Sequence, residues 1–223
     1  MDIRRENLLN DIIEIYLDTA QPIGSKYLAH ERKYNVSSAT IRNEMARLEE
    51  EGYIYQPHTS AGRIPTVDGL EYYIQNLIKP DKLSTLDGTR LRAIFSQHGL
   101  KGLARESAHY THAACIIVHN NSDFYYTGFA QLFSQPEYTS AEMVYSISKA
   151  IDQLETVMSQ FLEEVTNTEP RIYIGKSNPL GNECAAMFIG NKKRQKTLLG
   201  LLSPLRTDYK KNMGLLMEIV HYL

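Results

Sequence analysis

Residues 36–66 constrain the fold more than any other part of the chain, because a helical pattern there runs into a glycine and then a short hairpin pattern. Ser37 or Ser38 can cap the start of the helix, and Gly52 can end it in the left-handed conformation. One side of the helix is apolar and is expected to face a core: Ile41, Met45 and Leu48.

The other side of this helix suits a nucleic-acid groove. Alanines permit close backbone approach, asparagine can pair with adenine, and arginine can contact guanine or phosphate. Glu49–Glu51 at the far end would repel phosphates, so only the N-terminal half can face DNA, as in recognition helices. An amphipathic helix with outward arginines is also typical of a solvated surface. The residues predicted to lie at DNA are Ser38, Ala39, Thr40, Arg42, Asn43 and Arg47.

The hairpin pattern turns this helix into part of a predicted winged helix-turn-helix. Residues 53–55 form a short β-run, residues 59–62 have turn chemistry, and residues 63–65 return as a second strand. This wing is predicted to place four side chains beside a phosphate backbone or minor groove: His58, Thr59, Ser60 and Arg63. If Arg63 contacts phosphate, its loss should weaken specific and nonspecific binding together.

Three further helices complete a predicted DNA-binding domain over residues 1–79. The first spans roughly Arg4–Thr19, and Pro22 and Gly24 then break the chain. Ser25 is predicted to cap a short helix that carries three residues inward: Tyr27, Leu28 and Ala29. Thr66 is predicted to cap a fourth helix with a buried stripe: Leu70, Tyr73, Ile74, Leu77 and Ile78.

A polar linker, 80–89, is predicted to precede a GAF-like α+β domain over 90–223, which makes the whole chain α+β. The predicted elements are helices at Thr89–Gln97, Leu100–Tyr110, Ala141–Val165 and from Asp208, and strands at Ala114–His119, Phe124–Leu132, Arg171–Gly175, Glu183–Gly190 and Thr197–Leu202. Asn120–Asp123 and Asn191–Lys196 are predicted turns. The apolar stripe of Ala141–Val165 can either cover its own sheet or form a dimer seam.

Other clusters in the second domain do not indicate catalysis, a cofactor or a metal. His109, His112, Cys115 and His119 have ligand-like spacings, but a helix-to-strand change near Ala113 would scatter them. Cys115 and Cys184 are expected to be reduced, buried thiols of a cytoplasmic protein. The basic run Lys192–Arg194 is typical of solvated charge, with an anion or partner contact as the alternative. No phosphate loop, nucleophile elbow or dinucleotide fingerprint is present, so an enzyme is not predicted.

The charge balance predicts that one copy binds DNA weakly. Residues 1–79 contain nine basic and twelve acidic side chains, whereas DNA-binding domains are usually basic. Affinity is therefore expected to depend on a dimer. The sequence has no run of about 18 apolar residues that could span a membrane and nothing similar to a signal peptide, so no membrane partner is expected.

Several segments resemble the HrcA family of bacterial heat-inducible transcription repressors. In the N-terminal part these are PIGSKYLA, VSSATIRNEMARLEEEGYI and QPHTSAGRIPT. In the C-terminal part they are RIYIGKSNPLGNECAAMF and SPLRTDYKKNMGLLMEIV, and FYYTGFAQLFSQPEY is similar to a glycine-containing segment of the family. The resemblance implies a homodimer that binds an inverted repeat in double-stranded DNA upstream of chaperone operons, with a chaperonin maintaining the active repressor.

The chain also departs from the family pattern. Part of the middle of the family sequence, including the inserted dimerising segment, is expected to be missing. Helix four reads Gly69-Leu70-Glu71-Tyr72 where the family favours an aromatic–arginine pair, which is expected to remove one phosphate contact. Two alternatives to the HrcA-like function stay open: a winged-helix regulator whose GAF-like domain senses a small ligand, and an adaptor that uses the winged helix for protein contacts.

Overall fold

The computed structural model describes residues 1–31, 34, 36–119, 123–164, 168–191 and 196–223. They form two compact α+β units, Met1–Lys79 and Pro80–Leu223, which we call unit 1 and unit 2. Three predicted features fall outside the described residues, in whole or in part: the turn Asn120–Ser122, Val165 at the end of the long helix, and Lys192–Arg194 in the basic loop.

Unit 1 begins with three helices: α1 (Ile3–Thr19), α2 (Ser25–Glu31) and α3 (Ser38–Glu50). The Asp2 side chain caps α1 by accepting a hydrogen bond from the Arg5 backbone N–H at 3.0 Å. Their packed faces supply most of the core of unit 1, whose buried side chains include Leu8, Leu9, Ile12, Ile13, Leu28, Ile41, Met45 and Leu48.

The prediction for α2 was wrong at one residue. Leu28 is fully buried and Ala29 is half-buried, but Tyr27 is 47% exposed. A seven-residue helix buries little more than one row of side chains, and here the row that faces α3 is centred on Leu28. Tyr27, one residue earlier, therefore points away from the core.

A two-stranded antiparallel hairpin follows α3, with β1 at Ile54–Tyr55 and β2 at Ile64–Pro65. Helix α4 (Val67–Tyr72) comes next, capped by the Thr66 hydroxyl, which accepts from the Gly69 N–H at 3.0 Å. The chain then widens into a π-helical turn at Tyr73–Leu77. Leu70 and Tyr73 are buried as predicted, but Ile74, Leu77 and Ile78 are only half-buried, because the wider turn changes the angular spacing of their side chains.

Unit 2 is built on a five-stranded antiparallel sheet in the order β4-β3-β7-β6-β5. The strands are β3 (Ala114–His119), β4 (Asp123–Thr127), β5 (Arg171–Tyr173), β6 (Cys184–Asn191) and β7 (Thr197–Pro204). Its helices are α5 (Thr85–Thr111), α6 (Phe129–Phe133), α7 (Ala141–Glu164) and α8 (Tyr209–Ile219), the last capped by Asp208 as predicted. Side chains on both faces of β3, β6 and β7 are buried.

Helix α7 covers one face of this sheet. Its inward residues belong to one buried cluster with residues of β3, β6 and β7: Ile147, Leu154, Met158 and Phe161 from α7, and Ile116, Val118, Phe188 and Leu202 from the strands. The structure therefore supports the interpretation in which the apolar stripe of α7 packs on its own sheet.

One predicted strand of unit 2 was too long. The predicted strand Phe124–Leu132 ends at Thr127, because Gly128 has a left-handed φ of 86° and α6 begins directly after it. A Cβ at Gly128 would lie 2.5 Å from the Ala113 carbonyl oxygen, so this position accepts only glycine without a shift. The two helices predicted on either side of Gly99 are confirmed, because α5 is interrupted at Gly99, whose φ of 60° and ψ of −154° are not helical. The first of them begins at Thr85, earlier than the predicted Thr89.

The first residues of the predicted linker are packed onto α8. The Asp81 N–H donates to the Lys210 carbonyl at 3.0 Å, and a Cβ at Gly214 would lie 2.1 Å from the Asp81 carbonyl oxygen. Thr85 already begins α5, so residues 85–89 are helical.

Candidate nucleic-acid interface

Helix α3 has the cap and the inward face that its sequence predicts. The Ser37 hydroxyl accepts from the Thr40 N–H at 3.2 Å and lies 3.0 Å from the Thr40 hydroxyl. Ile41, Met45 and Leu48 are buried, which turns the opposite side of α3 outward. The predicted contact residues of the helix lie there: Ala39, Arg42, Asn43 and Arg47 are exposed, and Ser38 and Thr40 are half-buried.

The acidic end of α3 is less repulsive than the sequence suggested. Arg5 forms an ion pair with Glu51, and Arg63 forms one with Glu49. Glu50 is exposed and is the third carboxylate of the run. Two of the three charges at this end therefore have a cation beside them, so the field that opposes a phosphate is weaker than the run of glutamates implies.

The hairpin presents a compact polar tip. The Ala61 N–H donates to the His58 carbonyl at 2.9 Å, and His58 Nδ1 lies 3.3 Å from the Ser60 hydroxyl. His58, Thr59 and Ser60 are exposed, as a contact with a polyanion requires. The Gln56 side-chain amide closes the loop by donating to the carbonyls of Thr59 and Ala61 at 3.0 and 2.8 Å.

Arg63 lies at the base of the hairpin and not at its tip. Its side chain is 17% exposed, and its Nε and Nη2 atoms are each 2.9 Å from Glu49 Oε2. Its backbone N–H and carbonyl form a two-way bridge with Ile23 at 2.9 Å each. The phosphate contact of Arg63 stays a prediction, but the guanidinium already has a carboxylate partner.

An open cleft lies between α2, α3 and the hairpin. It is lined by Gly24 and the first two residues of α2 (Ser25 and Lys26), by Arg42 of α3, and by Gln56 and residues 59–63 of the hairpin. Lys26 is exposed and was not among the predicted contact residues. The sequence did hold a signal for Lys26. It lies at a predicted helix start, two residues after the Pro22–Gly24 break, in the helix that precedes the predicted recognition helix.

Tyr72 directly follows Leu70 and Glu71, the two residues that stand where the family pattern favours an aromatic–arginine pair. Its hydroxyl donates to Glu6 Oε1 at 2.6 Å, and this hydrogen bond raises the pKa of Tyr72 to about 12. Its ring lies 5.2 Å from that of Tyr53. Tyr72 therefore ties α4 to α1 and to the start of the hairpin.

Unit 2 offers no comparable chemical site in the part of the chain that the structure describes. The His109 and His112 rings are 6.4 Å apart, and no described group of His, Cys, Asp or Glu is arranged to hold a metal ion. Cys115 and Cys184 are both buried, and burial raises the pKa of each thiol. Among the described helices, none combines the length and the apolar character that a membrane crossing needs.

Comparison with known proteins gives a match to one family model and matches to curated proteins. Residues 67–213 match the family described as "HrcA protein C terminal domain". The chain is 50% identical over 84 residues to the heat-inducible transcription repressor HrcA of Acetivibrio thermocellus, an alignment that covers 38% of this chain and 24% of that protein. It is 54% identical over 84 residues to HrcA of Pelotomaculum thermopropionicum, with the same coverage of 38% and 24%.

The fold has a counterpart among solved structures. A crystal structure of a protein described only as hypothetical aligns with a TM-score of 0.81 and 19% identity, over 99% of this chain and 97% of that one. In the sequence alignments the chain spans about a quarter of the length of the curated relatives that it matches. The family match itself covers well over half of the chain, and on that ground the chain belongs to the HrcA family.

Proposed function

We propose that the protein is a sequence-specific transcriptional repressor of heat-shock genes, and that unit 1 binds operator DNA as a winged helix-turn-helix. The observation that carries the proposal is the outward face of α3, where exposed Arg42 and Asn43 stand beside the cleft and the exposed hairpin tip. The names of the relatives, heat-inducible transcription repressors, support the same function.

In this proposal α3 enters the major groove and the hairpin follows the neighbouring backbone. Arg42, Asn43 and Arg47 supply base or phosphate contacts from the helix. The small side chain of Ala39 permits the backbone of α3 to approach the DNA closely. Ser38 and Thr40 lie at the start of α3, and His58, Thr59 and Ser60 contact the backbone from the hairpin. Unit 2 serves as a GAF-like effector and dimerisation domain, in keeping with its antiparallel sheet buried on both faces.

The test is enrichment of a DNA duplex by the wild-type protein from a randomised pool, followed by footprinting. We expect one inverted-repeat sequence to be enriched and protected. A protein that enriches no sequence would contradict the proposal and would favour an adaptor that uses unit 1 for protein contacts. The enriched duplex is the probe for the experiments below.

Loss of either central side chain of α3 should weaken specific binding. Replacing Arg42 or Asn43 by alanine should each cost ~1–3 kcal/mol for the enriched duplex, the usual scale of a base contact. The measurement is fluorescence anisotropy at fixed salt, with circular dichroism to verify the fold. Arg92→Ala, which removes an exposed arginine from unit 2, is the matched control. Unchanged affinity in both α3 variants would remove these residues from the interface.

Lys26 should supply a phosphate contact. Lys26→Gln is expected to weaken binding to the enriched duplex and to an unrelated duplex alike, and to lower the slope of log K against log salt by about 0.9. Lys79→Gln removes another exposed lysine of unit 1, away from the residues that line the cleft, and should leave the slope unchanged. Equal slopes for the two variants would count against a phosphate in the cleft.

A further inference from the structure

We propose that Glu49 and Arg63 form a positioning pair that sets the hairpin against α3, so that the Glu49 carboxylate supports DNA binding instead of opposing it. This inference rests on the proposed DNA-binding function. It assigns a role to a residue that its charge alone marks as repulsive to phosphate.

One carboxylate holds both sides of the hairpin. Glu49 lies in the last turn of α3. Its Oε2 atom accepts a hydrogen bond from Arg63 Nε at 2.9 Å and lies 2.9 Å from Arg63 Nη2. Its Oε1 atom accepts from the Gln56 backbone N–H at 3.1 Å. Gln56 directly follows β1 and Arg63 directly precedes β2, so Glu49 fixes the two positions at which the loop leaves and rejoins the strands.

The network continues from Gln56 to the tip. While its backbone is bound to Glu49, its side-chain amide donates to the carbonyls of Thr59 and Ala61. The loop that carries His58, Thr59 and Ser60 is therefore linked to α3 through two residues. A substitution at Glu49 would therefore shift the predicted contact residues of the tip, although Glu49 does not contact them itself.

Arg63 connects the same network to the start of α2. Its backbone pairs with Ile23 in both directions at 2.9 Å, and a Cβ at Gly62 would lie only 2.4 Å from the Ile23 carbonyl carbon. The hairpin thus presses on the turn that precedes α2. All three walls of the cleft, which come from α2, α3 and the hairpin, are joined through Arg63 and Glu49.

The ion pair is partly shielded from water, because the side chains of Arg63 and Glu49 are 17% and 34% exposed. Removing one partner would leave the other partly buried and unpaired, and the hairpin would shift to rehydrate it. A guanidinium that already forms a hydrogen-bonded ion pair with a carboxylate is also a poor ligand for a phosphate, since much of its charge is neutralised.

Removing the charge of Glu49 distinguishes a carboxylate that only repels phosphate from one that positions the hairpin, because DNA affinity should rise in the first case and fall in the second. If Glu49 only repels phosphate and Arg63 binds it, Glu49→Gln frees the cation and tightens binding. If the two residues position the hairpin, Glu49→Gln loosens it and weakens binding. Glu50→Gln is the matched control, because Glu50 is the exposed neighbouring carboxylate on the same helix end. It should keep or slightly raise affinity.

The experiment measures binding of the full chain to the enriched duplex and to an unrelated duplex over a range of salt. We expect Glu49→Gln and Arg63→Ala each to reduce affinity for the enriched duplex about tenfold, with a smaller loss on the unrelated duplex. The slope of log K against log salt should stay unchanged. The double variant should bind no more weakly than the single variant with the lower affinity, because both changes break the same Glu49–Arg63 pair.

Hydrogen exchange in the free protein gives a second, DNA-independent readout. Peptides covering residues 56–63 should exchange faster in Glu49→Gln than in wild type or Glu50→Gln. Tighter binding by Glu49→Gln would overturn the inference, as would a salt slope that falls by about one counterion on both duplexes in Arg63→Ala. A wild-type protein that enriches no duplex would instead overturn the proposed function, and the inference with it.

Discussion

Gly69→Ala is expected to destabilise unit 1 by about 3 kcal/mol, at the upper end of the usual cost of overpacking. A Cβ at this position would lie 2.0 Å from the Tyr53 carbonyl oxygen and 3.0 Å from its carbonyl carbon. Backbone atoms cannot rotate away as a side chain can. The Tyr53 carbonyl is also held in place, since it accepts a hydrogen bond from the Thr66 N–H at 3.0 Å.

The surrounding contacts explain why no easy relaxation exists. The Thr66 hydroxyl donates to the Gly52 carbonyl at 2.6 Å and accepts from the Gly69 N–H at 3.0 Å. The start of α4 is therefore packed through Gly69 against Gly52 and Tyr53, which connect α3 to β1. Moving α4 outward would break the cap and would also disturb the hydrogen bond between Tyr72 and Glu6.

The measurement is urea unfolding of the full chain, with hydrogen exchange to separate the two units. Peptides from residues 1–79 should lose protection in Gly69→Ala, whereas peptides from residues 80–223 should keep it. Gly24→Ala is the matched control, because no atom lies within 4 Å of a Cβ built there. Equal protection of unit 1 in the two variants would show that the contact at Gly69 relaxes at little cost.

Local chemistry explains the features that the sequence predicted well. Ser37 caps α3 through the N–H three residues later, and Gly52 ends that region with a φ of 84°. The bounds of β3 agree with the prediction, Ala114–His119, because its apolar run begins just after His112, which has a left-handed φ of 52°, and ends at the polar His119. Each of these features depends on residues within one or two turns of each other.

Features that depend on distant residues were missed. Glu49 was interpreted as repulsive because its partner Arg63 is fourteen positions away, and only the folded hairpin brings them together. The bridge between Ile23 and Arg63 spans forty positions and leaves no periodic pattern in the sequence. The strand order of unit 2 is equally long-range, since β3 pairs with β7 across the whole of α7. The outward face of α3 and the exposed tip of the hairpin were predictable from the sequence, but the network that positions them was not.

We expect two copies of the chain on one inverted repeat to bind 10²–10⁴-fold more tightly than one copy on a single half-site. The reason is the small number of cations that unit 1 can offer. Unit 1 has nine basic and twelve acidic residues in its sequence. Two of the basic residues, Arg5 and Arg63, form ion pairs with glutamates at the end of α3. A single unit therefore neutralises few phosphates, and its affinity depends on a linked second copy.

Helix α7 provides the first probes of the proposed dimer, because its buried stripe packs on the sheet and its outer side remains available. On that outer side Tyr145 is 63% exposed and Val144 is 38% exposed, and Lys149 Nζ lies 4.5 Å from the Tyr145 ring centroid. If this side pairs with its mate, Lys149→Glu should lower affinity for the two-half-site duplex and leave single half-site binding unchanged.

Light scattering at micromolar concentration, with and without the enriched duplex, measures the assembly directly. Wild type should have the mass of two chains on the duplex, and footprinting should show two half-sites separated by one helical turn or a multiple of it. Arg105→Glu reverses an exposed arginine on α5 and is the control for the change of charge in Lys149→Glu. If both variants remain dimeric, the interface lies elsewhere on the chain. A strictly monomeric wild-type protein that protects a single half-site would refute the dimer. The few basic side chains of one unit 1 would then have to supply all of the DNA affinity.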